Sequence, residues 1–225
     1  MNNPWLDVPL SDYEGHMALP GIEQAQLLSG ILSGALEQFS PCSVAVLGCA
    51  GGNGFERISP NVSRVVGVDV NAHFVAAAKA RFARRFKCLE LIVGDIQSYE
   101  VSFAPVDLMF AGLVLEYVNV EAVIARTPSM LIAHGRLVTL LQLPSISHQQ
   151  VSPSPFSSIQ ALGEVMHLVP PLHLQNVAEA QGYVQLDSHT VASAGDKQFQ
   201  VQVFFKIPAH QSTGPARNTV HGGEF

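Results

Sequence analysis

Short hydrophobic runs recur along the chain from residue 43 onward, separated by segments with helical spacing. Five runs predict strands that are covered on both faces, because they are rich in Val and Leu and lack regular alternation with polar residues. These runs cover residues 43–49, 64–70, 88–96, 106–112 and 135–143. Two further runs, residues 183–193 and 197–207, flank an Ala-Gly-Asp turn and predict a β-hairpin.

Segments with helical spacing lie before and between these runs. They predict helices over residues 22–39, 71–86, 120–135 and 172–182. Asn71 has a side chain that favours the start of the second helix. Pro128 is expected to interrupt the third helix, which ends before Gly135, and Gly182 is expected to close the fourth. Since strands and helices alternate, the pattern predicts an α/β protein with a parallel sheet and helices on both faces.

The length of 225 residues, with a mass of 24.1 kDa, suits one domain with a small cap. We expect an N-terminal cap segment over residues 1–40, a main domain over residues 41–207 and a loose tail over residues 208–225. A hydrophobic share of 48%, a charged share of 13% and a mean hydropathy of +0.25 exclude a largely disordered chain. Apolar runs are shorter than the roughly 18 residues of a membrane helix, so no span is expected.

The charge and the cysteines narrow the classes of function. A net charge of −6 argues against sequence-independent binding to nucleic acid, which depends on basic surface. The N-terminus lacks a basic segment followed by an apolar one, and the three cysteines form neither an even set nor a Cys-x-x-Cys pair. We therefore expect a cytoplasmic protein. Since no cluster of His, Asp or Glu has metal-ligand spacing, no metal is expected.

Residues 48–54, with the sequence GCAGGNG, lie where the first predicted strand ends and a helix is expected to begin. Glycines there let the backbone approach a ligand closely and adopt positive φ angles without a Cβ clash. Backbone N–H groups can then face the ligand. Since a glycine loop alone is also typical of an ordinary turn, this segment needs support from other residues.

Two acidic residues supply that support. Asp69 ends the second predicted strand, 21 positions after Gly48, where an acid can accept hydrogen bonds from ribose hydroxyls. Asp95 ends the third predicted strand. Each acid alone is commonly a helix cap or a turn former. Ligands of open α/β sheets bind at the carboxyl ends of the strands, so the two acids and the glycine loop together predict a cofactor site.

The motifs VLGCAGGNG (46–54), VGVDVN (66–71), GDI (94–96), VDLMFAGLVLEYV (106–118) and HGRLVTLLQLP (134–144) together resemble class I S-adenosylmethionine (SAM)-dependent methyltransferases. The resemblance covers roughly residues 43–143, and the terminal hairpin fits the antiparallel sheet edge of that family. It implies SAM as the cofactor. It also implies a Rossmann-like, doubly wound sheet of seven strands with an antiparallel C-terminal hairpin, to which we expect a small N-terminal helical cap to be added.

The resemblance also implies the residues that bind the cofactor. Gly48, Ala50 and Gly52 take the places that bend around the methionine part of SAM in that family. Asp69 takes the place that binds ribose, the next residue packs on adenine, and Asp95 accepts from the adenine amino group. The full implied set is Gly48, Cys49, Ala50, Gly52, Asp69, Val70, Asp95, Ile96, Gly112 and Leu113.

The loop region also departs from the family pattern and leaves an alternative open. The family often has an acid where this chain has Val46 and a glycine where it has Ala50. Gly48, Gly52 and Gly54 also fit the GxxxGxG spacing of short-chain dehydrogenases, which bind NAD(P). Those enzymes carry a Tyr-x-x-x-Lys pair, however, and no tyrosine here has a lysine four positions on. An NAD(P)-binding oxidoreductase is therefore a weaker alternative.

The residues after the fourth predicted strand bear on the methyl acceptor. DNA and protein amine methyltransferases often carry an (Asp/Asn)-Pro-Pro-aromatic motif there, whereas this chain has Ala111-Gly112-Leu113. We therefore expect a small molecule or a short peptide, methylated on oxygen or nitrogen, and neither nucleic acid nor a membrane as partner. A catalytically silent subunit that only binds the cofactor remains the main alternative.

Three residues are candidates for catalysis. Glu116 follows the fourth strand and is a candidate base or anchor for a cationic acceptor, although an acid that merely flanks the next helix fits the same pattern. Tyr13 and His16 belong to an N-terminal segment expected to fold over the site, as such segments often do in the resembling family; a surface arm is the alternative. The Ser- and Pro-rich stretch from Ser147 to Phe156 is expected to form part of a mobile lid.

Overall fold

A seven-stranded sheet with the order β3-β2-β1-β4-β5-β7-β6 forms the centre of the computed structural model, which describes residues 3–145, 150–195 and 197–208. Neighbours among β1 to β5 pair in parallel, and β7 pairs antiparallel with β5 and β6. The predicted doubly wound sheet with an antiparallel C-terminal hairpin is confirmed. The strands are β1 Ser43–Leu47, β2 Arg64–Asp69, β3 Leu89–Val93, β4 Val106–Gly112, β5 Leu131–Gln142, β6 Tyr183–Ala192 and β7 Gln198–Lys206.

Helices connect these strands. α2 precedes β1, α3 joins β2 to β3, α4 and α5 join β4 to β5, and α6 and α7 lie between β5 and β6. Asn71 caps α3 as predicted, because its side-chain oxygen accepts the N–H groups of His73 at 2.9 Å and Phe74 at 3.4 Å. The α-helices of the described residues are α1 Leu10–Met17, α2 Gln24–Phe39, α3 Ala72–Phe82, α4 Val120–Ile124, α5 Thr127–Met130, α6 Ser157–Gln160 and α7 Pro171–Ala180.

Alternate residues of the strands face two hydrophobic layers, one on each side of the sheet. On one side Leu47, Val68 and Met109 pack with residues of α4 and α7. On the other side Val44 and Phe110 pack with residues of α2. Covered faces explain why the strands are continuous apolar runs. The polar residues of β1 to β4 therefore lie near the strand ends, and Asp69, which ends β2, is the one at the carboxyl edge of the sheet.

The third predicted helix and the start of β5 differ from the prediction. The expected interruption near Pro128 is present, since the segment forms α4 and α5, but the helix ends at Met130 and β5 begins at Leu131 rather than at residue 135. Leu131 is buried and pairs with Val106 of β4. The Lys206 ammonium group of β7 also donates to the carbonyl oxygens of Pro128 at 2.6 Å and Leu131 at 2.5 Å. Helical spacing was misleading here because these long-range contacts outweigh local propensity.

The helix expected directly after the glycine loop is also replaced by another structure. Phe55–Arg57 form a single 3-10 turn, and Pro60 follows before β2 begins. The Phe55 ring is completely buried and lies 5.4 Å from the Phe82 ring and 6.2 Å from the Phe86 ring, measured between ring centres. The prediction was wrong because the connection is short and a proline interrupts it.

The predicted cap segment, residues 1–40, divides into two parts. Leu28 and Leu32 of α2 pack in the same layer as the strands, whereas α1 lies beside the carboxyl edge of the sheet and contributes to a pocket there. Of the predicted tail, residues 209–225 lie outside the described residues. Within the described ranges, no helix is long and apolar enough to cross a membrane.

Candidate functional site

A pocket lies at the carboxyl edge of the sheet, between the strand ends, α1 and the segment that follows β5. The space inside it is about 1120 Å³, which includes its open mouth. Strands β1 to β4 thus bring residues from four separate motifs to one cavity. The predicted cofactor-binding residues that line it are Gly48, Ala50, Asp69, Val70, Asp95, Ile96, Gly112 and Leu113.

Asp69 connects the end of β2 to the glycine loop. Its Oδ2 accepts the N–H of Ala50 at 2.8 Å and its Oδ1 accepts the N–H of Asn71 at 2.9 Å. Burial raises the pKa of Asp69, and the backbone N–H groups that donate to it oppose this shift. Each carboxylate oxygen has a second lone pair, so Asp69 can hold the loop and still accept a ligand hydroxyl.

The first half of the glycine loop has an unusual backbone. Gly48 and Ala50 have φ angles of +68° and +45°. A Cβ at Gly48 would lie 2.9 Å from Val114 Cγ2, so a larger residue would displace its neighbour. Ala50 adopts the left-handed region that disfavours residues with a Cβ. The glycine that the family often has at position 50 therefore has a physical basis, and this chain accommodates alanine there under strain.

Two predicted cofactor-binding residues, Cys49 and Gly52, do not line the pocket. The Cys49 side chain is completely buried in the layer that contains α2. Gly52 has a φ angle of +94°, and a Cβ there would lie 2.5 Å from Phe82 Cε2. Since the loop turns away from the pocket after Ala50, both residues contribute through packing beneath the loop.

The edge of the pocket beyond β3 is formed by Asp95 and Ile96. The Asp95 carboxylate accepts the N–H of Gln97 at 2.8 Å. Arg126 is buried and donates to the carbonyl oxygens of Ile96, at 2.5 Å, and Val101. This arginine, which no motif indicated, holds the loop after β3 against α4 and α5.

The N-terminal segment is attached to the cofactor side through polar contacts. Tyr13 Oη accepts a hydrogen bond from Asn53 Nδ2 of the glycine loop at 2.8 Å. Asn71, which caps α3, donates through Nδ2 to the carbonyl oxygens of Trp5 at 2.9 Å and Val8 at 3.2 Å. These contacts place the segment over the pocket, while its part in catalysis stays a prediction.

An ion pair and aromatic contacts complete this attachment. Glu14 of α1 pairs with Arg81 of α3. The Trp5 ring centre lies 4.9 Å from that of Tyr117 in an edge-to-face arrangement. Trp5, Tyr117 and Tyr13 line the pocket, so α1 and its approach form an aromatic cover.

His16 lies at the inner side of this cover. It is buried and lines the pocket, and its Nδ1 has no hydrogen-bond partner among the described residues. Burial lowers the pKa of His16, and the positive charge of Lys197 lowers it further. The ring is therefore neutral at pH 7 and can accept a proton from a group in the pocket.

Glu116 lies behind the wall of the pocket and does not line it. Its side chain is completely buried, and its Oε1 accepts the backbone N–H of Gln142 at 2.7 Å. Burial raises the pKa of Glu116 to about 7. Gln142 ends β5 and does line the pocket. Glu116 therefore supports a pocket residue from behind the wall, and its suggested role toward the acceptor stays a prediction.

Lys197 also lines the pocket, although no sequence motif indicated it. It directly precedes β7 and is buried, with its Nζ donating to the carbonyl oxygen of Gln150 at 2.8 Å and to Gln142 Oε1 at 3.3 Å. Burial lowers the pKa of Lys197 to about 8. Its position shares the two-residue period of Phe199 and Val201, which face the core. This alternation places the Lys197 side chain on the inward face, and it was the sequence signal that could have identified the residue.

The predicted lid is described in part, because Ser147 to Gln149 lie outside the described residues. Gln150 to Ser152 line the pocket, and the Phe156 ring lies against Gly15, where a Cβ would be 2.6 Å from Phe156 Cζ. Ser158 Oγ donates to Asp12 Oδ2 at 2.7 Å. The segment is thus fastened to α1, while its motion stays a prediction.

A family described as a methyltransferase domain matches residues 45–139. This range contains the glycine loop, Asp69 and Asp95, which are the residues on which the resemblance rests. Residues 45–139 form a methyltransferase domain. The resemblance drawn from the sequence is confirmed, and the dehydrogenase alternative is superseded. No curated protein matches the sequence of this methyltransferase.

Solved structures share the fold of this methyltransferase at low sequence identity. The N-methyltransferase NodS from Bradyrhizobium japonicum WM9, in complex with S-adenosyl-L-homocysteine (SAH), is 18% identical, with a TM-score of 0.67 over 92% of this chain and 100% of NodS. Magnesium protoporphyrin IX methyltransferase (ChlM) from Synechocystis PCC 6803, with bound SAM, is 11% identical, with a TM-score of 0.61 over 81% of this chain and 79% of ChlM. The cyclase SpnF is 14% identical, with a TM-score of 0.60 over 82% of this chain and 80% of SpnF.

Proposed function

We propose that this protein transfers the methyl group of SAM to an oxygen or nitrogen atom of a small molecule or a short peptide. One observation carries the proposal. Gly48, Asp69 and Asp95, from the ends of β1, β2 and β3, line the same cavity as Gly112 at the end of β4. NodS and ChlM, which have the same fold, are crystallised with SAH and SAM respectively.

The residues present suit the parts of SAM. Asp69 and Asp95 retain lone pairs for ribose hydroxyls and for the adenine amino group. Val70 and Ile96 offer apolar contact to a ring between those two acids. Gly48 lacks a side chain where the loop borders the cavity, which leaves room for the methionine part. These features support binding of SAM from β3 across to β4.

Two segments cover the pocket, the N-terminal segment and the segment after β5, and they limit the size of the acceptor that can enter. Phe156 and Ser158 contact Gly15 and Asp12 of α1, so the segment after β5 and the N-terminal segment meet above the cavity. A folded protein or a duplex would have to displace both covers. A small molecule or the end of a short peptide can enter beneath them, which supports that acceptor class.

Bound SAM supplies the sulfonium methyl group, and the protein supplies position and a proton acceptor. The cavity holds the acceptor atom in line with the methyl group. The aromatic cover, including Trp5 and Tyr117, excludes water that would compete. Neutral His16 can accept the proton that a hydroxyl or amine acceptor loses. Burial raises the pKa of Tyr13, so its phenol stays protonated and can donate a hydrogen bond.

The Asp69→Ala variant tests the cofactor assignment. Loss of a charged hydrogen-bond partner costs about 1.5–3 kcal/mol, which corresponds to roughly 10- to 150-fold weaker binding of SAM or SAH. Calorimetric titration with SAH measures this. Asp187→Ala, which removes an exposed carboxylate from β6, is the matched control and should bind SAH like the wild type. Unchanged affinity in a folded Asp69→Ala protein would contradict the assignment.

A second assay distinguishes transfer from silent binding. The same fold occurs in the cyclase SpnF, so the fold alone does not establish transfer. We expect the wild type to methylate one or more members of a panel of small hydroxyl, amine and carboxylate compounds, supplied with labelled SAM. Binding of SAH without turnover of any panel member would favour the catalytically silent subunit.

A further inference from the structure

Lys197 brings a positive charge into the pocket beyond the cofactor-binding residues. It is 4% exposed and is the one Lys or Arg side chain among the described residues that line the pocket. Its Nζ donates to the carbonyl oxygen of Gln150 and to Gln142 Oε1. Both partners are neutral, so this buried cation has no carboxylate partner within the described part of the chain.

The sheet places Lys197 on the side of the pocket opposite to Asp95. Phe199 of β7 pairs with Gln142 at the end of β5, so Lys197 lies at the same carboxyl edge as the ends of β1 to β4. Neighbouring strands are about 4.8 Å apart, so Lys197 is offset by about 24 Å from β3 and by about 10 Å from β4. It therefore lies beyond Gly112, where the acceptor must approach.

The groups around Lys197 suit an anion. An ammonium group has three N–H donors, and Gln142 and Gln150 take two of them. His16 is close enough for the charge of Lys197 to lower its pKa, and its Nδ1 lacks a described partner. A buried cation that lacks an anionic partner is costly, and a carboxylate held by a charged donor offsets that cost.

We propose that Lys197 is the anion-binding residue of the acceptor compartment and that the methyl acceptor carries a carboxylate, which pairs with the Lys197 ammonium group. This inference rests on the proposed transferase function, because the compartment is defined relative to the cofactor-binding residues. Gln142 and Gln150 hold the ammonium group in place, and the acceptor carboxylate takes its third donor. The carboxylate thereby orients the acceptor, and its reacting atom points toward the end of β4.

The test compares benzoate with its neutral counterpart benzamide. Each probe is added to the whole protein saturated with SAH, and ligand-observed NMR measures its dissociation constant. Wild-type protein should bind benzoate at least about 10-fold more tightly than benzamide, because a charged hydrogen-bond partner is present. Lys197→Met and Lys197→Gln should abolish this preference, and Lys197→Arg should retain it. Lys197→Gln keeps a donor for Gln150, which guards against a packing defect. Lys87→Met, at an exposed position, changes the net charge equally and should retain the preference.

Three results would overturn the inference. The first is equal binding of both probes to the wild type. The second is a preference for benzoate that survives in both neutral variants. The third is that Lys197→Gln weakens the binding of SAH at least about 10-fold while benzoate competes with SAH, because the lysine then binds the methionine carboxylate of the cofactor. Failure of wild-type protein to bind SAH at all would instead overturn the proposed function.

Discussion

The cofactor side and the acceptor side of the pocket are built in different ways. On the cofactor side, each residue lies at the end of a strand or within three residues after it, and Asp69 contacts Ala50 of the loop that follows the neighbouring strand. The acceptor side is assembled from α1, the end of β5, residues 150–166 and the residue before β7. His16, Gln142 and Lys197 meet there although they are far apart in the sequence.

The two sides also differ in charge. Asp69 and Asp95 line the cofactor side, whereas Lys197 and neutral His16 line the acceptor side. A cofactor with hydroxyl and amino donors suits the first, and an acceptor with an anionic group suits the second. Substitutions on the cofactor side should therefore change the affinity for SAH, and substitutions on the acceptor side should change turnover and choice of acceptor.

The largest expected effect concerns Glu116, which supports the acceptor side from behind. Burial raises its pKa from 4.5 to about 7. Between these values the folded state keeps a proton that the unfolded chain has lost, so stability present at low pH is lost as the pH rises through the folded pKa. Relative to Glu116→Gln, the wild-type free energy of unfolding should fall by about 2–3 kcal/mol from about pH 5 to about pH 8. Urea denaturation of both proteins measures this difference.

A difference that stays constant with pH would show that Glu116 is not buried in this way. The same variant separates two roles of the residue. A base that contacts the acceptor contributes about 100-fold or more to the rate, whereas glutamine can still accept the N–H of Gln142. Because Glu116 does not line the pocket, we expect Glu116→Gln to retain transfer. A loss of about 100-fold would restore Glu116 as the base and break the contrast between the two sides.

The cofactor side could be predicted from the sequence because its signals are local. A glycine loop after a buried run, and an acid after each of the next two runs, identify strand ends without knowledge of tertiary contacts. Cys49 and Gly52 belong to the same motif but pack beneath the loop. A motif therefore locates a loop but does not distinguish its ligand side from its core side.

The acceptor side was less predictable because tertiary contacts decide it. Lys197 is a partner of Gln142 only because β7 inserts between β5 and β6. The start of β5 at Leu131 likewise depends on pairing with Val106 and on contact with Lys206. Tyr13 and His16 were suggested by composition, and contacts with Asn53 and the pocket give them a place that no local pattern specified.

A smaller effect is expected from the N-terminal cover. His16→Ala removes the proposed proton acceptor and Tyr13→Phe removes the phenol, so each should reduce methyl transfer by at least about 10-fold, since a positioned proton-transfer group contributes roughly 100-fold or more. SAH affinity should change little in His16→Ala. The rate with labelled SAM and the calorimetric affinity are measured on the same preparations.

The control for the cover is His73→Ala, at an exposed histidine of α3. It should transfer like the wild type. Full transfer by His16→Ala and Tyr13→Phe, with intact folding, would show that α1 only shields the pocket. The contrast between the two sides would then rest on Lys197 alone.

The smallest expected effect on the free energy of unfolding is at Ala50, and it tests why the cofactor side has this residue in its loop. Ala50 has a φ angle of +45° and is 3% exposed. Ala50→Gly relieves left-handed strain of about 1–2 kcal/mol but loses a buried methyl group worth about 0.8 kcal/mol and adds unfolded-state entropy worth about 0.4–1 kcal/mol. These terms nearly cancel, so the free energy of unfolding should change by less than about 1 kcal/mol.

The control is Ala35→Gly, at a buried site inside α2. It has no strain to relieve, so its free energy of unfolding should fall by about 1–2 kcal/mol. Urea denaturation compares the two variants, and equal losses would show that the Ala50 methyl group, rather than the backbone of the loop, is what the cofactor side requires at this position.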